Sequence, residues 1–206
     1  MARLPREFYA SDTVSAARAL LGKYLVRRVA GRTLAGRITE TEAYVGRCDR
    51  ACHAYGYRRT ARNDVMFGPP GHAYLYLIYG LHWCLNLVTE PEGEPSAVLL
   101  RELQCAAGED AIRRFRFGSD AVLTAYQRKN LLNGPGKICK GFSLSGAENR
   151  MDLTGNVLFV CDHASDFGAP EPAAVPERME ALPRIGVDYA GADKDLPWRF
   201  RLTPER

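Results

Sequence analysis

Lysine is scarce in this chain. It supplies five of the 28 cationic side chains, arginine the other 23, and none falls between Lys23 and Lys129. Schiff-base chemistry needs a desolvated lysine or a terminal amine, so the long middle of the chain offers no such nucleophile. No H-x-E segment is followed by P-C-x-x-C, which removes the zinc-deaminase pattern. No apolar run is long enough to span a bilayer, and none follows a basic start, so neither a membrane partner nor a secretory leader is expected. Six cysteines without an export signal then read as reduced thiols in a cytoplasmic compartment. Cys48, Cys52 and His53 form the one local group that resembles a metal site. Without a second cysteine pair at ligand spacing, no metal is expected.

What is present is ordinary for a globular protein: 206 residues, 46% hydrophobic, 25% charged, net charge +4. That length fits one domain over 1–206. The arginine excess has two readings, a phosphate-binding surface or a codon bias, and composition does not choose between them.

The spacing predicts a helix over 11–21, with Ser11 as its cap and Gly22 beyond its end. Strands are expected at 24–26, 36–45 and 98–103. Two apolar-aromatic runs at 73–78 and 81–88 flank Tyr79 and Gly80, which suits a hairpin with Tyr79 at its tip. Helices are expected over 108–115 and 119–132, and a short one after Gly134, Pro135 and Gly136. The segment 46–63 reads as a long surface loop and 162–183 as a draped loop rich in proline, alanine and acids. No internal repeat is visible. The expected class is α+β.

Strand alternation puts Glu40, Glu42 and Tyr44 on one side of the 36–45 strand. They suit either the solvated face of an edge strand or a rigidly held general base beside an aromatic ring. The 46–63 loop interleaves Arg47, Arg50, Arg58, Arg59 and Arg62 with Tyr55 and Tyr57. Cations with stacking rings favour nucleic-acid contact; a solubilising loop more often mixes lysine with glutamate. Tyr74, Tyr76 and Tyr79 fit cross-strand packing, except that a bulky residue at an exposed tip suits a wedge between base steps. Residues 134–137 offer free backbone N–H groups for a phosphate, or an ordinary turn.

Taken in order, residues 37–44 (R-I-T-E-T-E-A-Y), His53, Arg62 and Asn63 with Met66 and Phe67, residues 74–80, 84–86, 98–101, 134–137 and 184–187 resemble the alkyladenine (3-methyladenine) DNA glycosylase family. The similarity covers nearly the whole chain and is to the compact bacterial form. It implies a single mixed domain around a curved antiparallel sheet with a protruding hairpin. It implies a monofunctional enzyme that flips damaged purines (alkylated adenine or guanine, hypoxanthine, ethenoadenine) out of double-stranded DNA and hydrolyses the N-glycosidic bond. By this resemblance Glu42 is the general base, Arg101 helps hold it and the attacking water, and a backbone carbonyl near Val187 also binds that water. Tyr44, His53 and Tyr76 sandwich the flipped base, and Asn86 crowds the guanine amino group. Tyr79 enters the vacated space, and Arg58 and Arg62 meet the DNA. No cofactor is implied, and the expected state is a monomer in the cytoplasm, at the bacterial nucleoid. The sequence departs from some relatives in a longer 87–100 loop containing Pro91 and Pro95, while Tyr55, Tyr57 and Trp83 match no family position.

Two other readings stay open at this point. A non-catalytic nucleic-acid binder explains the arginine-tyrosine loop and leaves Glu42 and Arg101 without a task. A carbohydrate glycosidase would use Glu40 and Glu42, roughly 7 Å apart by strand rise, yet both side chains leave the strand on the same face instead of flanking a bond.

Overall fold

Two tight hairpins and one long strand generate the sheet. β1 (Tyr24–Val29) turns through Ala30 and Gly31, φ 49° and 71°, into β2 (Arg32–Val45). β3 (Ala73–Ile78) and β4 (His82–Thr89) are joined by Tyr79 and Gly80, φ 52° and 68°. Two left-handed residues in a row give a turn whose twist matches that of the paired strands. β5 (Ser96–Ala107), β6 (Leu158–Cys161), β7 (Glu177–Leu182) and β8 (Arg199–Pro204) complete an open, antiparallel, eight-stranded sheet. This computed structural model describes residues 3–119 and 121–205.

The sheet runs β3-β4-β5-β2-β1-β6, and it forks at β2. The first half of β2 pairs with β1 from Arg32 to Arg37, its second half with β8 from Glu40 to Glu42, and β5 follows the other edge. Register shifts against β5 on either side of Glu40 mark the bend. Glu40 and Glu42 therefore lie on a strand paired at both edges, which removes the reading of an edge strand with a solvated face.

Period-two alternation gives the sheet two different faces. Ala43, Leu75, Leu85, Leu87, Val98 and Leu100 point into the main core. There they meet α2 (Thr13–Ala19), α3 (Glu109–Phe117) and α5 (Pro135–Gly141). The Thr41 hydroxyl donates to the Ala17 carbonyl at 2.8 Å and ties α2 to β2. The alternate residues Glu42, Tyr44, Tyr74, Tyr76, Asn86, Leu99 and Arg101 occupy the opposite face, where loops rather than helices cover the sheet.

The α+β class, the hairpin with Tyr79 at its tip and the short helix beginning at Pro135 match the sequence reading. Other expectations need correction. The first helix is shorter: α1 (Arg6–Tyr9) precedes it, and Asp12, not Ser11, caps α2 by accepting from Ser15 N at 2.8 Å. Ser11 instead donates to the Phe8 carbonyl. The helix expected over 119–132 shrinks to α4 (Ala125–Lys129), begun by a capping box between Thr124 and Gln127; Asp120 lies outside the described residues. Val122 is 83% exposed there, so an apolar residue that suggested a helix face has nothing to pack against. The 162–183 segment is not all loop, because it contains β7, a polar edge strand held by its ladder to β8 and by Glu177–Arg37 and Glu180–Arg201 ion pairs. The 46–63 loop is only partly on the surface: Asp49, Ala51, Cys52 and Ala54 are buried.

Gly46 shows how tightly that loop leaves β2. A Cβ at this position would stand 1.9 Å from the Pro95 carbonyl oxygen. Gly46→Ala is expected to destabilise the fold by about 2 kcal/mol or more, since backbone must move to admit the methyl group. Chemical denaturation checks this, and an unchanged midpoint would contradict it.

Candidate active site

Strand register assembles the site before any loop is considered. Tyr74 of β3 pairs with Asn86 of β4, Asn86 with Leu99 of β5, and Leu99 with Glu42 of β2, so one row crosses four strands on the same face. Two residues along on β3, Tyr76 pairs with Cys84, and on the other side of the row Tyr44 pairs with Ala97. All of these but Glu42, which lies buried behind them, line a pocket of about 420 Å³. The 51–66 loop supplies one wall through His53, Arg62 and Met66, and the 185–189 segment another through Ile185, Val187 and Tyr189. Tyr79, 87% exposed, stands at the rim.

Glu42 has no exposed surface. Its Oε2 accepts from the Tyr44 hydroxyl at 2.7 Å and from an Arg101 nitrogen at 3.3 Å, and its Oε1 accepts from the Ile185 backbone N–H at 2.8 Å. A buried carboxylate must be compensated in this way. The compensation continues along the strand: Arg101 also lies 3.4 Å from Glu40, and Glu40 accepts from Arg199 at 2.9 Å. The Arg101 Nε facing Glu40 forms no aligned hydrogen bond, so that contact is charge against charge. Burial, then the Glu42 carboxylate, pushes the Tyr44 hydroxyl well above its ordinary range, so it remains protonated and donates.

A second buried pair holds the walls in place. Arg184 grips Asp49 with its two terminal guanidinium nitrogens and donates to the carbonyls of Ala43 and Asp193 at 2.9 and 3.1 Å. Both side chains are fully buried. The guanidinium also stacks 4.9 Å from the Tyr44 ring centre and 5.2 Å from that of Trp198. This clamp joins the loop after β2 to the segment that presents Ile185 N–H to Glu42.

The aromatic slot is built from three side chains. His53 Nδ1 is 2.9 Å from the Tyr74 hydroxyl, and the imidazole meets Tyr76 edge-on with centroids 4.6 Å apart. Desolvation among these rings, then the Arg62 charge, pushes the His53 pKa down to about 4, so the ring is neutral at physiological pH. Asn63, itself buried, donates to the carbonyls of His53 and Arg58 and fixes the loop that carries them. Asn86 is buried and donates to the Tyr74 carbonyl at 3.2 Å.

Of the residues singled out from sequence, Arg101, Tyr44, His53, Tyr76, Asn86, Tyr79 and Arg62 line this pocket, with Glu42 hydrogen-bonded to two of them. Arg58 is exposed and stands outside it. The Val187 carbonyl accepts from Ala190 N at 2.9 Å, while the residue itself lines the wall. Sequence reasoning missed Asp49 and the Arg184 clamp, the Ile185 N–H, Arg199 and Tyr189, whose hydroxyl donates to the Ala51 carbonyl at 3.1 Å. A single aspartate in an arginine-rich loop gave no sign that it would be buried.

Comparison with known proteins gives the family. A family model described as Methylpurine-DNA glycosylase (MPG) matches residues 7–206. Relatives carrying the provisional name 3-methyladenine DNA glycosylase include one from Desulfitobacterium hafniense, 42% identical, covering 98% of this chain and 96% of its own. Another, from Methanocella arvoryzae, is 47% identical over 96% of this chain and 90% of its own. The chain is thus of the DNA glycosylase class, hydrolases of N-glycosyl bonds in base-excision repair, with DNA as its partner. More narrowly, the chain belongs to the methylpurine-DNA glycosylase family.

Asp49→Ala is expected to cost about 3–5 kcal/mol, because it strands the Arg184 charge in the interior. Replacing both partners with apolar residues of similar volume is expected to cost much less. Thermal denaturation of the two variants decides; equal losses would show that the ion pair is not what holds the walls.

Proposed function

We propose that the protein flips damaged purines from duplex DNA into the slot formed by Tyr44, His53 and Tyr76, and hydrolyses the glycosidic bond with a water activated by Glu42. The observation that carries this reading is a fully buried carboxylate hydrogen-bonded by three residues that line the aromatic pocket, Tyr44, Arg101 and Ile185 through its N–H. Each carboxylate oxygen has two acceptor directions. Oε1 uses one for Ile185 N–H, and the mechanism requires the other to receive the water once the flipped nucleotide is in place. As the base leaves, positive charge develops on the sugar; Glu42 offsets it and takes the proton from the incoming water, whose oxygen bonds to the anomeric carbon. Arg101 stabilises the carboxylate charge before the reaction.

An alkylated purine carries a positive charge in DNA and departs as a neutral base, and electron-rich ring faces favour it by up to about 2 kcal/mol when desolvated. Hypoxanthine and ethenoadenine lack that charge and depend on polar contacts at the base edge, with Asn86 crowding the guanine amino group. Tyr79 fills the space left in the helix, and Arg58 and Arg62 meet phosphates. The product is an abasic site with an intact strand, since no lysine lies between Lys23 and Lys129 to form an imine.

Glu42→Gln is expected to slow single-turnover release of hypoxanthine from a duplex by about 10²–10⁴-fold, with binding of the lesion duplex little changed. Turnover near the normal rate would remove Glu42 from the mechanism, and no abasic product from the wild type would end the glycosylase reading. Asn86→Ala is expected to raise guanine excision by about tenfold or more. A panel of hypoxanthine, 7-methylguanine and guanine duplexes measures it, and unchanged guanine activity would place discrimination elsewhere.

A further inference from the structure

Most arginines of the 46–63 loop are already engaged. Arg47 pairs with Glu90 and Arg59 with Asp64. Arg62 has no carboxylate partner among the described residues and, unlike Arg50 and Arg58, lines the pocket. Its guanidinium lies 5.0 Å over the Tyr76 ring, and it reaches the Leu77 carbonyl only through a long 3.4 Å contact. It lines the pocket, and its charge acts on both His53 and Tyr74. One cation thus touches or polarises Tyr76 and His53 of the slot and the neighbouring Tyr74, while the residue remains solvent-exposed. The ring contact it makes is the contact a positively charged purine would seek.

We infer that Arg62 is a charge gate: in the DNA-free protein it holds the cation position over Tyr76, and a backbone phosphate draws it off when DNA docks. The inference rests on the glycosylase reading and adds to it a rule of order, in which the slot accepts a charged purine only once DNA is bound. Two cations repel each other across one ring face, whereas a phosphate offers Arg62 a bidentate partner of opposite charge. The Tyr74 hydroxyl, the Tyr76 ring and the long Leu77 contact are all neutral partners, and a phosphate outcompetes them for a guanidinium. Purines that carry a fixed positive charge, such as alkylated nucleosides and nucleotides outside DNA, would be kept out of the empty enzyme.

The test is calorimetric binding of two free ligands to the full chain without DNA: 3,9-dimethyladeninium, a fixed cation, and 9-methylhypoxanthine, its neutral counterpart. Arg62→Gln is expected to tighten the cation about fivefold or more and the neutral ligand less than twofold. Unchanged or weaker cation binding, or equal gains for both ligands, would overturn the gate. In a second arm an abasic-site duplex is added first. Wild type is expected to gain cation affinity, and Arg62→Gln to gain distinctly less; equal gains would overturn the coupling to DNA. Neither arm requires turnover, so failure here is separate from failure of the wild type to excise hypoxanthine.

Discussion

A carboxylate with no water around it must be answered by donors and positive charge, and most of this site follows from how Glu42 is answered. Arg101 supplies the charge from the neighbouring strand, Tyr44 a hydroxyl from two residues along, and Ile185 a backbone N–H from 143 residues away. Each donor in turn needs support. Arg101 is balanced by Glu40 and Glu40 by Arg199, so signs alternate along the bend of β2. The Ile185 N–H has no such latitude, because its position depends on the adjacent Arg184 clamp to Asp49. Charge compensation therefore couples the buried carboxylate to both walls of the pocket.

The fork at β2 makes this coupling possible. A strand with one partner along its whole length would present Glu40 and Glu42 at an edge. By exchanging β1 for β8 at its midpoint, β2 leaves both glutamates flanked on each side and brings Arg199 beside Glu40. The same exchange draws the chain near 183–195 across the sheet face, where it forms a wall.

Local periodicity carried much of this information. Glu42 and Tyr44 share a face because strand side chains alternate, which needs no knowledge of neighbours, whereas Asn86 and Arg101 were placed by the family resemblance and join that face through the strand register. The hairpin tip was legible from local pattern too. Asp49 and Arg184 were not: they meet across 135 residues, and the charges of buried and solvated pairs look alike in one dimension. Ile185 contributes only its amide, which every residue but proline possesses. β7 escaped notice because its ladder and ion pairs, not apolar alternation, hold it. The expected 119–132 helix failed in the opposite sense, with an apolar residue promising burial that tertiary packing never provides.

Tyr79 occupies a backbone conformation that asparagine or glycine would adopt with less strain. In the proposed reading that same position must offer a broad, rigid ring to the duplex. Local comfort and task thus pull the residue in opposite directions at the most solvent-exposed point of the hairpin. Any selection that rewards thermal endurance alone would drift toward the better turn-former and blunt the probe, so a library built on this scaffold should hold that codon fixed.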